Sequence, residues 1–319
     1  MPAVERIAAE PGGERGSGRN GARDGERGRE GRGAARGAVA LLAPRCGNPA
    51  CATGWLRLWR STRAPRFEGR WACSPGCMRA MVAAAVRRER GGGSAASHPH
   101  RMPIGLMLVE QGEISEAHLR MALAECRRQE EETGEAVRLG AWLVGSGLLT
   151  EAALTRGLSA QWGCPAFSLT NFRAEETAAA MPRLLAEAYG GVPVRASGGI
   201  CLIFAGAVDR SLSYAVGRMT GLRVMAGVAG DREWKQAQEE YGKMPGPRVE
   251  FLEAADAGGL AGAMADRIEK EKAAEARLVR VHEFWWLRLW RRGTGEPGLA
   301  RCGEVEDLVG TVRGSGAEY

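Results

Sequence analysis

Four cysteines in the first quarter of the chain are spaced like the ligands of a metal ion. They form two short pairs, Cys46 with Cys51 and Cys73 with Cys77, and 21 residues separate the pairs. Thiolates suit tetrahedral Zn²⁺, and Gly and Pro between the paired cysteines favour the tight turns that such sites use. Four thiolates fill the coordination sphere, so the pattern predicts a structural zinc site. The alternative is four unrelated reduced cysteines.

A second set of residues with binding chemistry lies in a repeated pattern. Residues 138–161 read Arg-Leu-Gly-x2-Leu-x3-Gly-x6-Leu-x3-Leu-x2-Gln, and a weaker copy precedes them by 35 residues. The fixed positions of the second copy are Arg138, Leu139, Gly140, Leu143, Gly147, Leu154, Leu158 and Gln161. The first copy retains Ile104, Gly105, Leu108, Gly112, Leu119 and Leu123. Tandem units bury their apolar faces against each other, and the seam between them can form a binding groove.

The pattern resembles the N-terminal domain of type II secretion and type IV pilus assembly ATPases, in the form known for binding cyclic di-GMP. The resemblance covers residues 101–242. It implies cyclic di-GMP as a ligand, contacted by the fixed positions of the second copy and by Gly105, Leu108 and Gly112 of the first copy. In the first copy, however, Pro103 and Cys126 stand where Arg and Gln are expected, and Arg101 lies two residues upstream of Pro103.

The chemistry of a guanine ligand fits two of these residues. Arg138 can stack on the flat ring and donate hydrogen bonds to its acceptor edge, and Gln161 can bond a polar edge. The competing interpretation is that the leucines form the core of a helical bundle and the glycines end its helices. Under that interpretation, Arg138 and Gln161 are the fixed positions that still indicate a ligand.

The elements that must position these residues can be read from caps and periodicity. Ser115 and Thr150 are expected to be helix N-caps, each followed by Glu, and Gly112 and Gly147 to end the short leading helices. The sequence after residue 181 predicts the order α-β-β-α-β-α. The predicted fold class is therefore α+β, with a four-helix repeat of helical hairpins followed by a small α/β subdomain.

The predicted organisation has five parts. Residues 1–37 are rich in Gly, Arg and Glu, with few large apolar side chains, so they are expected to be disordered. The other parts are a four-cysteine, zinc-ribbon-like module at 38–95, the helical repeat at 101–172, the α/β subdomain at 173–245, and a C-terminal helix and tail at 246–319. Within the last part, residues 259–292 are predicted to form one long helix, and the final 27 residues to be loosely structured.

The hexapeptide Trp-Leu-Arg-Leu-Trp-Arg occurs twice, at 55–60 and 286–291. Read as a helix, its second copy places Trp286, Leu289 and Trp290 on one face. We expect both copies to be anchors in the protein's own core, and the alternative is that they are docking or membrane-surface wedges. A degenerate second metal module around His282 and Cys302 is not favoured.

Charge and motifs narrow the functional classes. Residues 41–101 contain eleven Arg and two Glu, whereas the whole chain has a formal net charge of +6. This local positive charge permits nucleic-acid binding by the zinc module, which is the alternative function.

No Gly-x4-Gly-Lys-Ser/Thr loop is present in the sequence, and no nucleophile motif includes any of the four His, so an enzyme is not expected. With neither a secretory signal nor a membrane-spanning stretch, the sequence predicts a cytoplasmic, non-enzymatic regulator or adaptor. Its expected partner is a secretion or pilus assembly component or the missing ATPase; a docking scaffold without a ligand is the other alternative.

Overall fold

The computed structural model describes residues 46–52, 65–92, 101–291 and 297–313, all within one compact unit, Ala43–Tyr319. The predicted disordered segment 1–37 and the first hexapeptide lie outside these residues. The helices are α1 (Pro75–Gly92), α2 (Ile104–Glu110), α3 (Glu116–Thr133), α4 (Leu139–Gly145), α5 (Glu151–Trp162), α6 (Arg183–Tyr189), α7 (Arg210–Thr220), α8 (Asp231–Lys243) and α9 (Ala257–Glu271). The strands are β1 (Arg66–Phe67), β2 (Arg70–Trp71), β3 (Val192–Ala196), β4 (Gly199–Phe204), β5 (Arg223–Val228), β6 (Arg248–Ala254), β7 (Glu275–Val281), β8 (Phe284–Trp290) and β9 (Val305–Val312).

Two helical hairpins, α2–α3 and α4–α5, form the repeat. Their long helices begin at side-chain caps, because the Ser115 hydroxyl accepts a hydrogen bond from His118 N and the Thr150 hydroxyl accepts one from Ala153 N. Gly112 and Gly147 follow the short helices, and each has a φ of +73°. These four predictions are confirmed. The hairpins share a core in which Leu108 and Leu143 are fully buried.

The α/β lobe follows with the predicted order of elements, from α6 to α8. Strands β3 and β4 pair antiparallel, and β5 joins β4 in parallel after the crossover through α7. Every residue of β4 is buried, as expected for a central strand with both faces covered. The lobe packs against α5 through Leu158, which belongs to its core.

The C-terminal region is a four-stranded sheet in the order β6-β9-β8-β7, so the prediction of one helix over 259–292 is wrong. The helix ends at Lys272, which has left-handed backbone geometry, and two paired strands follow. The prediction of a loosely structured tail is also wrong, because β9 pairs with β6 on one side and β8 on the other.

The second hexapeptide forms most of β8, and the predicted helical face of Trp286, Leu289 and Trp290 is therefore wrong. In a strand, alternate side chains point to opposite faces, so Trp286 and Leu289 belong to different core clusters. Arg288 shares the face of Trp286 and forms a buried, bidentate ion pair with Asp307, at 2.8 Å for both contacts. The prediction that this hexapeptide lies in the protein's own core is confirmed for the second copy.

The cysteine module shares its core with this C-terminal sheet. Helix α1 contributes Met78 and Val82 to a cluster that also holds Met264 of α9 and Leu287 of β8. Strand β1 lies beside β7, where Glu68 N donates a hydrogen bond to Ala276 O. The sheet is consequently covered by α1 and α9 on one face and by the α/β lobe on the other.

These elements confirm a mixed α+β fold, while the predicted division into subdomains stays a prediction. Within the described residues, no helix has the length and apolar character that a membrane span needs.

Candidate metal centre and candidate ligand site

The four paired cysteines come together at the edge of the core shared by α1 and the C-terminal sheet. Their Sγ atoms all lie within 4.8 Å of one another. Cys73 Sγ is 3.4 Å from Cys51 Sγ and 3.5 Å from Cys77 Sγ. A tetrahedral zinc site with Zn–S bonds of about 2.3 Å has sulfur–sulfur edges of about 3.8 Å. The four thiols therefore have the number, type and spacing of donors that a tetrahedral thiophilic metal requires.

Local turns place these cysteines. The Asn48 side chain accepts a hydrogen bond from Ala50 N, which closes the turn between Cys46 and Cys51. Ser74 Oγ accepts a hydrogen bond from Cys77 N at the start of α1. Because Cys77 lies in the first turn of α1, the site joins this helix directly to the preceding loops.

The electrostatics of the cluster disfavour thiolates unless a cation is bound. Burial raises the pKa of the Cys46 thiol. Burial and the hydrogen-bonded thiols of Cys51 and Cys77 raise the pKa of Cys73 to about 12. A divalent cation reverses this balance because it stabilises the thiolate form of each ligand.

Arg138, the first fixed residue of the second repeat, lies at the N-cap position of α4, with its side chain 64% exposed. Its Nη2 is 3.3 Å from Asp231 Oδ1, in the first turn of α8. Nearby, Glu151 Oε1 accepts a hydrogen bond from Arg232 N, so α5 supplies a cap to α8. Neither contact follows from a local sequence pattern, because the partners lie 93 and 81 residues apart in the chain.

Gln161, the last fixed residue, contacts a different part of the repeat. Its Nε2 donates a hydrogen bond to Met102 O at 2.9 Å, just before α2 begins. Arg138 and Gln161 thus hold different partners, one on the α/β lobe and one on the entry to the first hairpin.

The remaining fixed residues lie mainly in helix–helix contacts. A Cβ added at Gly140 would lie 2.9 Å from the Leu154 side chain, and one added at Gly105 would lie 2.6 Å from Leu119. The two hairpins therefore use the same close approach of a leucine to a glycine. Leu139 and Leu154 are half-buried, while Leu108, Leu143 and Leu158 are buried.

The helices of the tandem hairpins and the elements of the α/β lobe occur in the order that the sequence predicted. No model of a known protein family matches the chain. A stretch of 153 residues, 47% of the chain, is 32% identical to the type IV pilus assembly ATPase PilB of Myxococcus xanthus strain DK1622. This part of the chain is thus related to pilus assembly ATPases, which confirms the resemblance.

The related stretch is a limited part of that ATPase. The match spans 26% of the length of PilB and does not reach its catalytic domain. A solved structure of MshE with cyclic di-GMP is 23% identical, covers 44% of this chain and 99% of its own, and has a TM-score of 0.35.

Proposed function

We propose that this protein is a non-enzymatic regulator or adaptor of type IV pilus or type II secretion assembly that binds cyclic di-GMP through its helical repeat. The relation to PilB over about half of the chain supports a pilus component as partner and a cytoplasmic location. The observation that carries the proposal is the complete second copy of the repeat, with an exposed guanidinium at the N-cap of α4.

Arg138 has the chemistry and exposure for a guanine ligand. A guanidinium donates two parallel hydrogen bonds to the O6 and N7 acceptors of guanine, which adenine cannot accept in the same way. Its contact with Asp231 is an exposed pair, which contributes only about 0–1 kcal/mol and can be exchanged for a ligand. We assign the buried leucines and the glycines of both copies to the scaffold that holds this arginine.

Calorimetric titration of the full chain with cyclic di-GMP tests the proposal. We expect heat from one saturable site, and Arg138→Ala should weaken binding by about 10-fold, the loss of one bidentate contact. Arg120→Ala is the matched control, because Arg120 is 78% exposed on α3 and pairs with its helix neighbour Glu116. The absence of heat at ligand concentrations far above micromolar contradicts the sensor function and leaves a docking scaffold.

We also propose that Cys46, Cys51, Cys73 and Cys77 bind one structural Zn²⁺. The mutual spacing of their sulfur atoms supports this assignment, and four thiolates leave no open position for catalysis. Since α1 shares its core with β8 and α9, the metal would also stabilise the C-terminal sheet.

Metal analysis of the full chain, purified under reducing conditions, tests the zinc site. We expect one zinc per chain, absent from Cys73→Ser, and release of metal as the pH falls, because protons compete for the thiolates. Cys302→Ser is the control, since this thiol bonds Pro245 O at 3.1 Å and a hydroxyl can replace it. Zinc content near zero in the wild-type chain rules the site out.

A further inference from the structure

Strand β6 forms one outer edge of the C-terminal sheet. Strand β9 pairs with one side of β6, and within the described residues no strand pairs with its other side. Along this strand Val249 is 39% exposed and Phe251 is 55% exposed. Proteins usually protect an open edge with charged residues, a bulge or a covering element, because an open edge can pair with the strand of another chain. An open edge with two exposed apolar side chains therefore indicates an interaction surface.

The direction of the backbone groups shows which residues of β6 can bind another strand. Arg313 N donates a hydrogen bond to Ala254 O at 2.8 Å, so the backbone of Ala254 faces β9. The backbone groups of successive residues in a strand point to alternate sides. The N–H and C=O groups of Val249, Phe251 and Glu253 therefore point away from β9. We name these outward backbone groups, together with the side chains of Val249 and Phe251, the β6 edge.

The exposed ring of Phe251 is held in place by aromatic neighbours. Its centroid lies 6.4 Å from that of Phe284, at an interplanar angle of 71°. Phe284 in turn contacts Tyr189, with 6.2 Å between the ring centroids. Edge-to-face contacts of this kind are favourable for aromatic pairs. The β6 edge consequently presents its apolar surface in a fixed position, which lowers the entropy cost of binding.

We propose that the β6 edge binds the β6 edge of a second copy of this chain, with the two strands antiparallel about a two-fold axis. Such an axis brings the same surface of each copy together, so the strand must be complementary to itself. In the register that we propose, Val249 of each copy lies opposite Phe251 of the other. Both residues direct their backbone groups outward, so each of these two pairs can exchange two backbone hydrogen bonds.

The charges of β6 are complementary in this arrangement. Arg248 is exposed and reaches Glu306 in its own chain only at 3.9 Å. The proposed register places Arg248 diagonally beside Glu250 of the second copy, a separation that a long side chain can span. The two Glu250 carboxylates face each other, and each is also compensated by Arg267 of its own chain, at 3.1 Å.

The neighbouring registers fit less well. If Phe251 lay opposite itself, Val249 would lie opposite the Glu253 carboxylate, and an apolar side chain would meet a charge. A shift in the other direction would place Phe251 opposite Pro247, which has no N–H to donate. The order of residues in β6 therefore favours the register that pairs Val249 with Phe251.

Analytical ultracentrifugation of the full chain over a range of concentrations tests the proposal. We expect a monomer–dimer equilibrium in the wild-type chain. Phe251→Lys should weaken dimerisation by about 10-fold or more at each of its two positions, and so by about 100-fold, because it removes an aromatic residue from the centre of the interface. Met121→Lys is the matched control, since Met121 is an apolar residue on α3 that is 49% exposed. It should dimerise like the wild type.

Amide hydrogen exchange gives a second measurement at the backbone. Exchange in residues 248–254 should slow by about 10-fold or more as the wild-type chain dimerises, because the outward N–H groups become hydrogen-bonded, and it should stay fast in Phe251→Lys. Circular dichroism checks that this variant keeps its fold, as expected for a change at an exposed residue. A wild-type chain that remains a monomer overturns the proposal, as does a dimer that Phe251→Lys leaves intact. The inference does not depend on cyclic di-GMP, because the β6 edge belongs to the C-terminal sheet.

Discussion

The two helical hairpins share one backbone plan but differ in what covers them. Both begin their long helices at hydroxyl caps, and both press a leucine against a glycine. Leu158 of the second hairpin is buried in the core of the α/β lobe, with 9% of its surface exposed. Its equivalent in the first hairpin, Leu123, is 40% exposed. The repeated spacing therefore encodes the hairpin, whereas the position in the chain decides which surface is buried.

The comparison of the two copies distinguishes the residues of the helical scaffold from the candidate ligand residues. Positions that are alike in the two copies, such as Leu108 and Leu143, serve the common core. The positions where the copies diverge, Pro103 against Arg138 and Cys126 against Gln161, are the polar ends of the motif. The contacts that each hairpin makes therefore determine which of its residues can bind a ligand, because the motif alone does not fix the positions of their side chains.

The largest expected effect tests the shared core. Leu108→Ala and Leu143→Ala each remove a fully buried side chain at equivalent positions, and we expect each to lower the free energy of unfolding by about 2–5 kcal/mol. Chemical denaturation of the two variants measures this directly. A large loss in one variant with little change in the other would contradict a common hairpin plan.

A smaller effect tests the unequal covering. Leu158→Ala should cost about 2–3 kcal/mol because it opens a cavity between α5 and the lobe, whereas Leu123→Ala should cost less than about 0.5 kcal/mol. The same denaturation measurement compares the pair. Equal losses would show that a surface of the first hairpin is covered in solution.

The smallest expected effect concerns the first acidic residue of each long helix. Glu151→Ala should cost about 0.5–1 kcal/mol, since its carboxylate accepts a hydrogen bond from Arg232 N at the start of α8. Glu116→Ala should be close to neutral, because Glu116 is 76% exposed and its ion pair with Arg120 lies within one helix. Thermal unfolding that ranks Glu116→Ala as the more damaging change would contradict the docking of α5 on α8.

The sequence predicted those features that depend on local patterns. Caps at Ser115 and Thr150, left-handed glycines at 112 and 147, and the order of elements in the α/β lobe follow from residues close together in the chain. The cysteine cluster was predictable for a similar reason, because its two short pairs carry the signature of a metal site even though 21 residues separate them.

The C-terminal sheet escaped prediction because three of its strands, β7, β8 and β9, are buried on both faces. Such strands lose the polar alternation that marks a half-exposed strand, and Trp-Leu-Arg-Leu-Trp-Arg then fits a helical period equally well. Arg288 suggests an exposed position in the sequence, but in the structure its side chain is buried. Its charge is paired there with Asp307, which lies 19 residues later in the chain. The packing of α1 on this sheet joins residues about 200 positions apart, which no local pattern reveals.

The contacts of the candidate ligand residues were likewise not predictable from local sequence patterns. Arg138 and Gln161 belong to one motif, yet the structure gives them partners at Asp231 and Met102. Arg101 lies outside the motif, and its guanidinium makes a cation–π contact with Trp162, the neighbour of Gln161. The sequence alone does not predict this contact.

A crystal structure of the full chain with cyclic di-GMP tests the central claim most directly. We predict a guanine base that accepts hydrogen bonds from the exposed Arg138 guanidinium, in place of its contact with Asp231. A ligand bound elsewhere, with Arg138 still paired with Asp231, would contradict the proposed function.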